Sequence, residues 1–130
     1  MNDAEGADWD RLSETAAAEV DTLLEALPPD IRARLADLPI TFEPQPNEEM
    51  ARSGIRRDAT LGLFVGVPYQ HAVAVSQRLP PQVILFLENI RRYARGEEQE
   101  FRRQVRKTLL HEIGHYLGLD EAGLELRHLR

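Results

Sequence analysis

Apolar side chains near the start of the chain recur in steps of three and four: Trp9, Leu12, Ala16, Val20, Leu23, Leu24 and Leu27. That spacing lines one face of an amphipathic helix. Pro28-Pro29 closes it, because proline offers no amide hydrogen and restricts the residue before it. Asp30 is placed to cap a short second helix over Ile31–Leu38. The pattern then changes. Ile40-Thr41-Phe42-Glu43 reads as a strand ended by Pro44 and Pro46. Residues 45–60 are polar and show no period, which predicts a long loop. Leu61–Val67 is the next strand, and its Gly62 and Gly66 mark a bulge or a close backbone approach. Pro68 and Tyr69 begin a turn, and His71–Gln77 returns as a hairpin partner. Beyond Pro80-Pro81, Val83–Leu87 is an unbroken apolar run of the kind that forms a buried strand. Asn89–Gly96 reads as a short helix with Gly96 as its stop. Phe101, Val105, Leu109, Ile113 and Tyr116, widened by Leu110 and Leu117, then mark a second long helix that ends at Gly118. A short tail follows, with a last turn around Glu121–Arg127. Helix, strands, then helix predict an α+β fold in which helices cover a small sheet.

Length and composition narrow this further. A chain of 130 residues, 42% hydrophobic and 29% charged, suits one domain with a real core. Residues 1–8 are expected to be a disordered acidic tail and residues 9–130 a single domain. No apolar run approaches the roughly 20 residues of a membrane helix, so no membrane partner is expected. The acidic start lacks the apolar stretch of a secretory leader, and with no cysteine present the expected location is cytoplasmic. The absence of cysteine also excludes disulfides, thiolate metal sites and cysteine nucleophiles. The net charge of −6 is unevenly placed: residues 1–30 hold nine acids against Arg11 alone, while the rest is nearly balanced. The most basic tract, Arg91, Arg92, Arg95, Arg102, Arg103, Arg106 and Lys107, is interleaved with Glu88, Glu97, Glu98 and Glu100. That mixture reads as a solvated helix face, and no nucleic-acid partner is expected.

The chemistry is concentrated at the end of the last helix, in His111-Glu112-Ile113-Gly114-His115-Tyr116-Leu117-Gly118-Leu119-Asp120-Glu121. At about 100° per residue, His111 and His115 lie one turn apart on one face. Two imidazoles so placed can reach one small cation at roughly 2.0–2.1 Å each. Glu112 lies beside both and can lean over the same point without ligating. A carboxylate there can take a proton from a polarised water and return it to a leaving amine. A catalytic zinc usually takes a third protein ligand. Gly118 permits a sharp turn, after which a carboxylate from Asp120 or Glu121 can complete the set. Two imidazoles and a carboxylate suit zinc, although Mn, Fe or Co also accept them. With equal residue usage, His-Glu-x-x-His arises by chance in about one chain in 60 of this length, so its helical setting and the following glycine and acids carry the argument.

The extended string resembles the H-E-x-x-H-x-x-G-x-x-[DE] signature of the small bacterial zincin-like metallopeptidases, often called minimal zincins. Leu61-Gly62-Leu63-Phe64-Val65-Gly66-Val67-Pro68 is similar to that family's L-G-L-[YF]-x-G-x-P strand, and Leu79-Pro80-Pro81-Gln82-Val83-Ile84-Leu85-Phe86 to its L-P-x-x-I-x-L-[YF] strand. The resemblance covers most of the chain. It implies a zincin-like fold, with a small mixed sheet packed against an N-terminal helix and the C-terminal motif helix. It implies one zinc ion with His111 and His115 as metal ligands, and Glu112 as the catalytic base. The third ligand falls at Glu121, where the family commonly carries aspartate, with Asp120 as the fallback.

The expected activity is peptide-bond hydrolysis on a peptide or protein substrate, with an edge strand near Leu61–Val67 as the expected place for it to pair. Tyr69, His71, Tyr116 and His128 are candidates for stabilising the oxyanion, though each also reads as an ordinary packed or surface side chain. The alternative class is a metal-stabilised interaction or regulatory module with little or no turnover.

Overall fold

The computed structural model describes residues 3–66 and 81–118. Helix α1 runs from Asp3 to Ala26. It therefore begins well before its apolar stripe, and residues 3–8, expected in a disordered tail, are its first turns. Pro28 then does two jobs. It stops α1, and its carbonyl accepts from the Arg32 amide at 2.9 Å to start α2, Pro29–Arg34. The helix thus opens with Pro29 in its first turn, where a missing amide hydrogen costs nothing, and Asp30 lies inside that turn instead of capping it.

Strand β1, Ile40–Glu43, comes where the alternation predicts it. Residues 45–60 are not the structureless loop expected. They contain helix α3, Glu48–Arg52, whose first turn is capped by the Asn47 side chain accepting from the Met50 amide at 2.8 Å. None of its residues is buried, which is why it leaves no apolar period. The segment is fastened to the body by Asn89, a buried side chain whose amide donates to the carbonyls of Arg57 at 2.9 Å and Thr60 at 2.8 Å.

Strand β2, Gly62–Val65, and strand β3, Gln82–Phe86, complete a sheet of order β1-β3-β2 among the described residues. β1 pairs with β3 in parallel, Ile40 opposite Val83, and β2 pairs with it antiparallel, Gly62 opposite Leu85. The central strand is the apolar run, as a strand covered on both faces requires. No loop follows it. Phe86 is the N-cap of α4, Leu87–Tyr93, so Leu87 belongs to a helix and not to the strand. Arg95 and Gly96 both take positive φ and end this helix. The expected hairpin partner His71–Gln77 lies outside the described residues.

Helix α5, Glu98–Leu117, is capped by Glu97, whose carboxylate accepts from the Gln99 and Glu100 amides. Its buried face packs Phe101, Val105, Leu109 and Ile113 against Leu85, Leu87 and Ile90 from the sheet and α4, and against Ala16, Val20, Leu23 and Leu27 of α1. Each fully buried Leu, Ile or Phe contributes about 1.5–3 kcal/mol. One core thus holds both long helices to the sheet. One acid of the N-terminal segment meets the basic tract here. Glu19 on acidic α1 accepts from Arg102 at 3.2 Å and Arg106 at 2.7 Å on basic α5. Two more arginines of the basic tract pair along their own helices, Arg91 with Glu88 and Arg103 with Glu100. No helix of the described residues is long and apolar enough to cross a membrane.

Candidate metal centre

α5 carries both the core and the chemistry, and its period divides the two. Ile113 and Leu109 are wholly buried, whereas His111 and His115 emerge on the exposed flank. Their rings sit one turn apart with centroids 4.4 Å from each other and planes inclined at 63°. Glu112 falls on the buried side and is only 6% exposed. A carboxylate rarely occupies such a position without a partner. Its Oε1 lies 3.2 Å from His115 Nδ1, which supplies one.

The donor atoms of His111, Glu112 and His115 all lie within 4.8 Å of one another. Tetrahedral zinc bonded at 2.0–2.1 Å requires donors about 3.3 Å apart, a distance that small side-chain rotations reach from here. Two imidazoles one turn apart are donors that zinc accepts, and Glu112 lies beside them, so the described residues fit the ion. Gly118 ends α5 in the left-handed conformation, φ 73°, its amide donating to the carbonyl of His115 at 3.1 Å. The chain is thereby turned at the point expected. Glu121 and Asp120 lie beyond it, outside the described residues, as do Tyr69, His71 and His128. Of the candidates for oxyanion stabilisation, only Tyr116 is described, and its ring is buried against Phe64 with centroids 5.7 Å apart.

A family model described as zincin-like metallopeptidase matches residues 35–129. The chain belongs to that family. No curated protein compared with it matches. The matched span takes in the sheet of the described residues and the motif helix, but α1 and α2 precede it. The zincin-like domain is therefore completed by a helix from outside the match, which packs on the back of α5 and anchors it through Glu19. The family is one of zinc hydrolases, in agreement with the donor set.

Two residues near the site carry no signal that their types alone reveal. Phe64 reads as an ordinary strand apolar, yet it reaches the helix beside His115 through Tyr116. Thr108 is a polar interruption of the α5 stripe, buried one turn before His111. A polar residue on the buried face of a helix, as Gln104 and Glu112 also are, is the clue that something other than apolar packing decides that position.

Proposed function

We propose that this chain is a zinc-dependent peptidase in which His111 and His115 hold the metal, Glu121 completes the ligand set with Asp120 as the fallback, and Glu112 is the general base. The observation that carries the reading is the meeting of two exposed imidazoles and a buried carboxylate within 4.8 Å on the last turns of α5. A zinc ion held there supplies Lewis acidity, polarising a scissile carbonyl and bringing the pKa of a water toward about 7. The chain's own part is then proton movement and placement. Glu112 takes the proton of the attacking water and passes it to the leaving amine nitrogen. At 6% exposure the carboxylate is largely shielded from bulk solvent. The His115 contact fixes one carboxylate oxygen, leaving the other for this transfer.

Strand β2 supports an extended peptide as substrate. The Phe86 amide donates to the Leu61 carbonyl at 2.9 Å, so Leu61 and Phe86 form a hydrogen-bonded pair. Alternation then turns the backbone groups of Leu63 and Val65 toward β3 and those of Gly62 and Phe64 outward. Among the described residues β2 is an edge strand, and its outward amides and carbonyls suit main-chain pairing with a peptide.

The test is Glu112→Gln, assayed with a mixture of internally quenched peptides and by metal analysis. The reading expects cleavage lost with zinc retained. If wild type and E112Q behave alike in every cleavage assay while His111→Ala abolishes the protein's function, the chain is a metal-stabilised interaction module instead.

A further inference from the structure

We propose that Gly62 is a positioning residue, its missing side chain setting how closely the edge strand β2 lies against the metal-binding helix. This rests on the peptidase reading for its consequence but not for its geometry. Glycine weakens a strand interior, so its presence within β2 calls for a reason. Conformation is not that reason, because the glycines with positive φ are Gly54, Gly66, Gly96 and Gly118 and do not include Gly62. Space is. A Cβ built on Gly62 stands 2.5 Å from the Thr108 Cγ2 methyl, while its other neighbours, the Ile84 carbonyl oxygen and Leu85 Cδ2, lie at an ordinary 3.4 Å. The missing methyl group therefore matters toward α5 and hardly at all toward β3.

Thr108 is a firm stop. It is buried at 8% exposure, and a β-branched side chain within a helix has restricted freedom at χ1. Its position makes the contact consequential. Thr108 precedes His111 by one turn, and Phe64, on the same face of β2 as Gly62, meets Tyr116 just after His115. The strand thus touches the helix on both sides of the two imidazoles, at one point through an aromatic pair and at the other through the bare backbone of Gly62. The outward backbone groups of those same two strand residues are the ones a paired peptide would use. Moving β2 away from α5 would carry a bound peptide away from the metal ligands and Glu112 without disturbing the ligands themselves.

Gly62→Ala, Thr108→Ala and the double variant test this in the zinc-loaded protein. Relieving a 2.5 Å contact to the usual 3.5 Å or more needs a shift of about 1 Å. A misplacement of that size is expected to lower kcat/KM for a cleaved quenched peptide by about 100-fold, chiefly in kcat, with zinc affinity changed less than about 3-fold. Thr108→Ala removes the opposing methyl, so adding it to Gly62→Ala should restore most of the lost rate, and should restore folding if the single variant fails to fold. A second readout is independent of turnover: amide exchange of β2 in the metal-free protein should be faster in G62A and slowed again in the double variant. Wild-type rates in G62A, or no rescue by T108A, overturn the proposal. If wild type cleaves no peptide, the peptidase reading fails, and the spacing is still judged by exchange: equal β2 exchange in wild type and G62A overturns it.

Discussion

Glu19→Gln is a perturbation whose size can be worked from the structure. The Glu19 carboxylate is 11% exposed and takes Arg106 at 2.7 Å and Arg102 at 3.2 Å, joining the helix that precedes the zincin-like span to the helix that carries the motif. The Arg106 and Arg102 side chains are 43% and 38% exposed, so their charged ends can return to water once their partner is gone. The loss is therefore smaller than the 3–5 kcal/mol for breaking a fully buried pair and larger than the 0.2–1 kcal/mol of exposed ones, about 1–3 kcal/mol. In a domain of this size that lowers Tm by roughly 3–10 °C. The pH dependence has a definite sign. Burial pushes the Glu19 carboxyl up, but the hydrogen bonds and charges of Arg106 and Arg102 outweigh it and hold it below the ordinary value of 4.5. A group depressed in the folded state contributes stability that is complete above its unfolded pKa and disappears as pH falls through the folded one. Thermal unfolding of wild type and E19Q should accordingly differ by a constant amount from pH 5.5 to 7.5, in the ordinary range above carboxylate titration, and converge as the solution is acidified below about 4.5. Equal stability at pH 7, or a gap that widens on acidification, would refute the reasoning.

Asn89→Ala strands two carbonyls, those of Arg57 and Thr60, and should cost about 1–3 kcal/mol while speeding amide exchange across residues 48–60. Leu109→Ala leaves a cavity between α5 and the sheet and should lower stability in urea unfolding by about 2–5 kcal/mol. Gly118→Ala forces an L side chain into the left-handed conformation at the turn after His115. A cost of about 1–2 kcal/mol is expected, with weaker zinc retention under chelator challenge because the chain beyond it carries the proposed third ligand, Glu121.

The elements that bury an apolar face were legible in the residues, and so was the clustering of His111, Glu112 and His115 on the last of them. The α1 stripe, the β3 run and the α5 stripe each mark an element found in the structure, and Gly118 ends α5 as its flexibility allows. His111, Glu112 and His115 converge because a helix fixes residues one turn apart without help from the rest of the fold. What stayed hidden depends on tertiary contacts. Helix α3 buries nothing, so no period announces it, although Asn47 ahead of Glu48-Glu49 is a capping signal. The start of α1 at Asp3 lies outside its apolar stripe. That β1 runs parallel to β3 while β2 runs antiparallel depends on the connections between strands, on which side-chain alternation is silent. The reason Gly62 is glycine lies 46 positions away, at Thr108.

The account stands most directly on the metal content of the natively folded protein, read by elemental analysis alongside His111→Ala, His115→Ala and Glu112→Gln. Near one zinc per chain is expected in wild type and E112Q, and little in either histidine variant. A folded wild-type chain that takes up no divalent transition metal, or one whose zinc survives loss of both imidazoles, would contradict it.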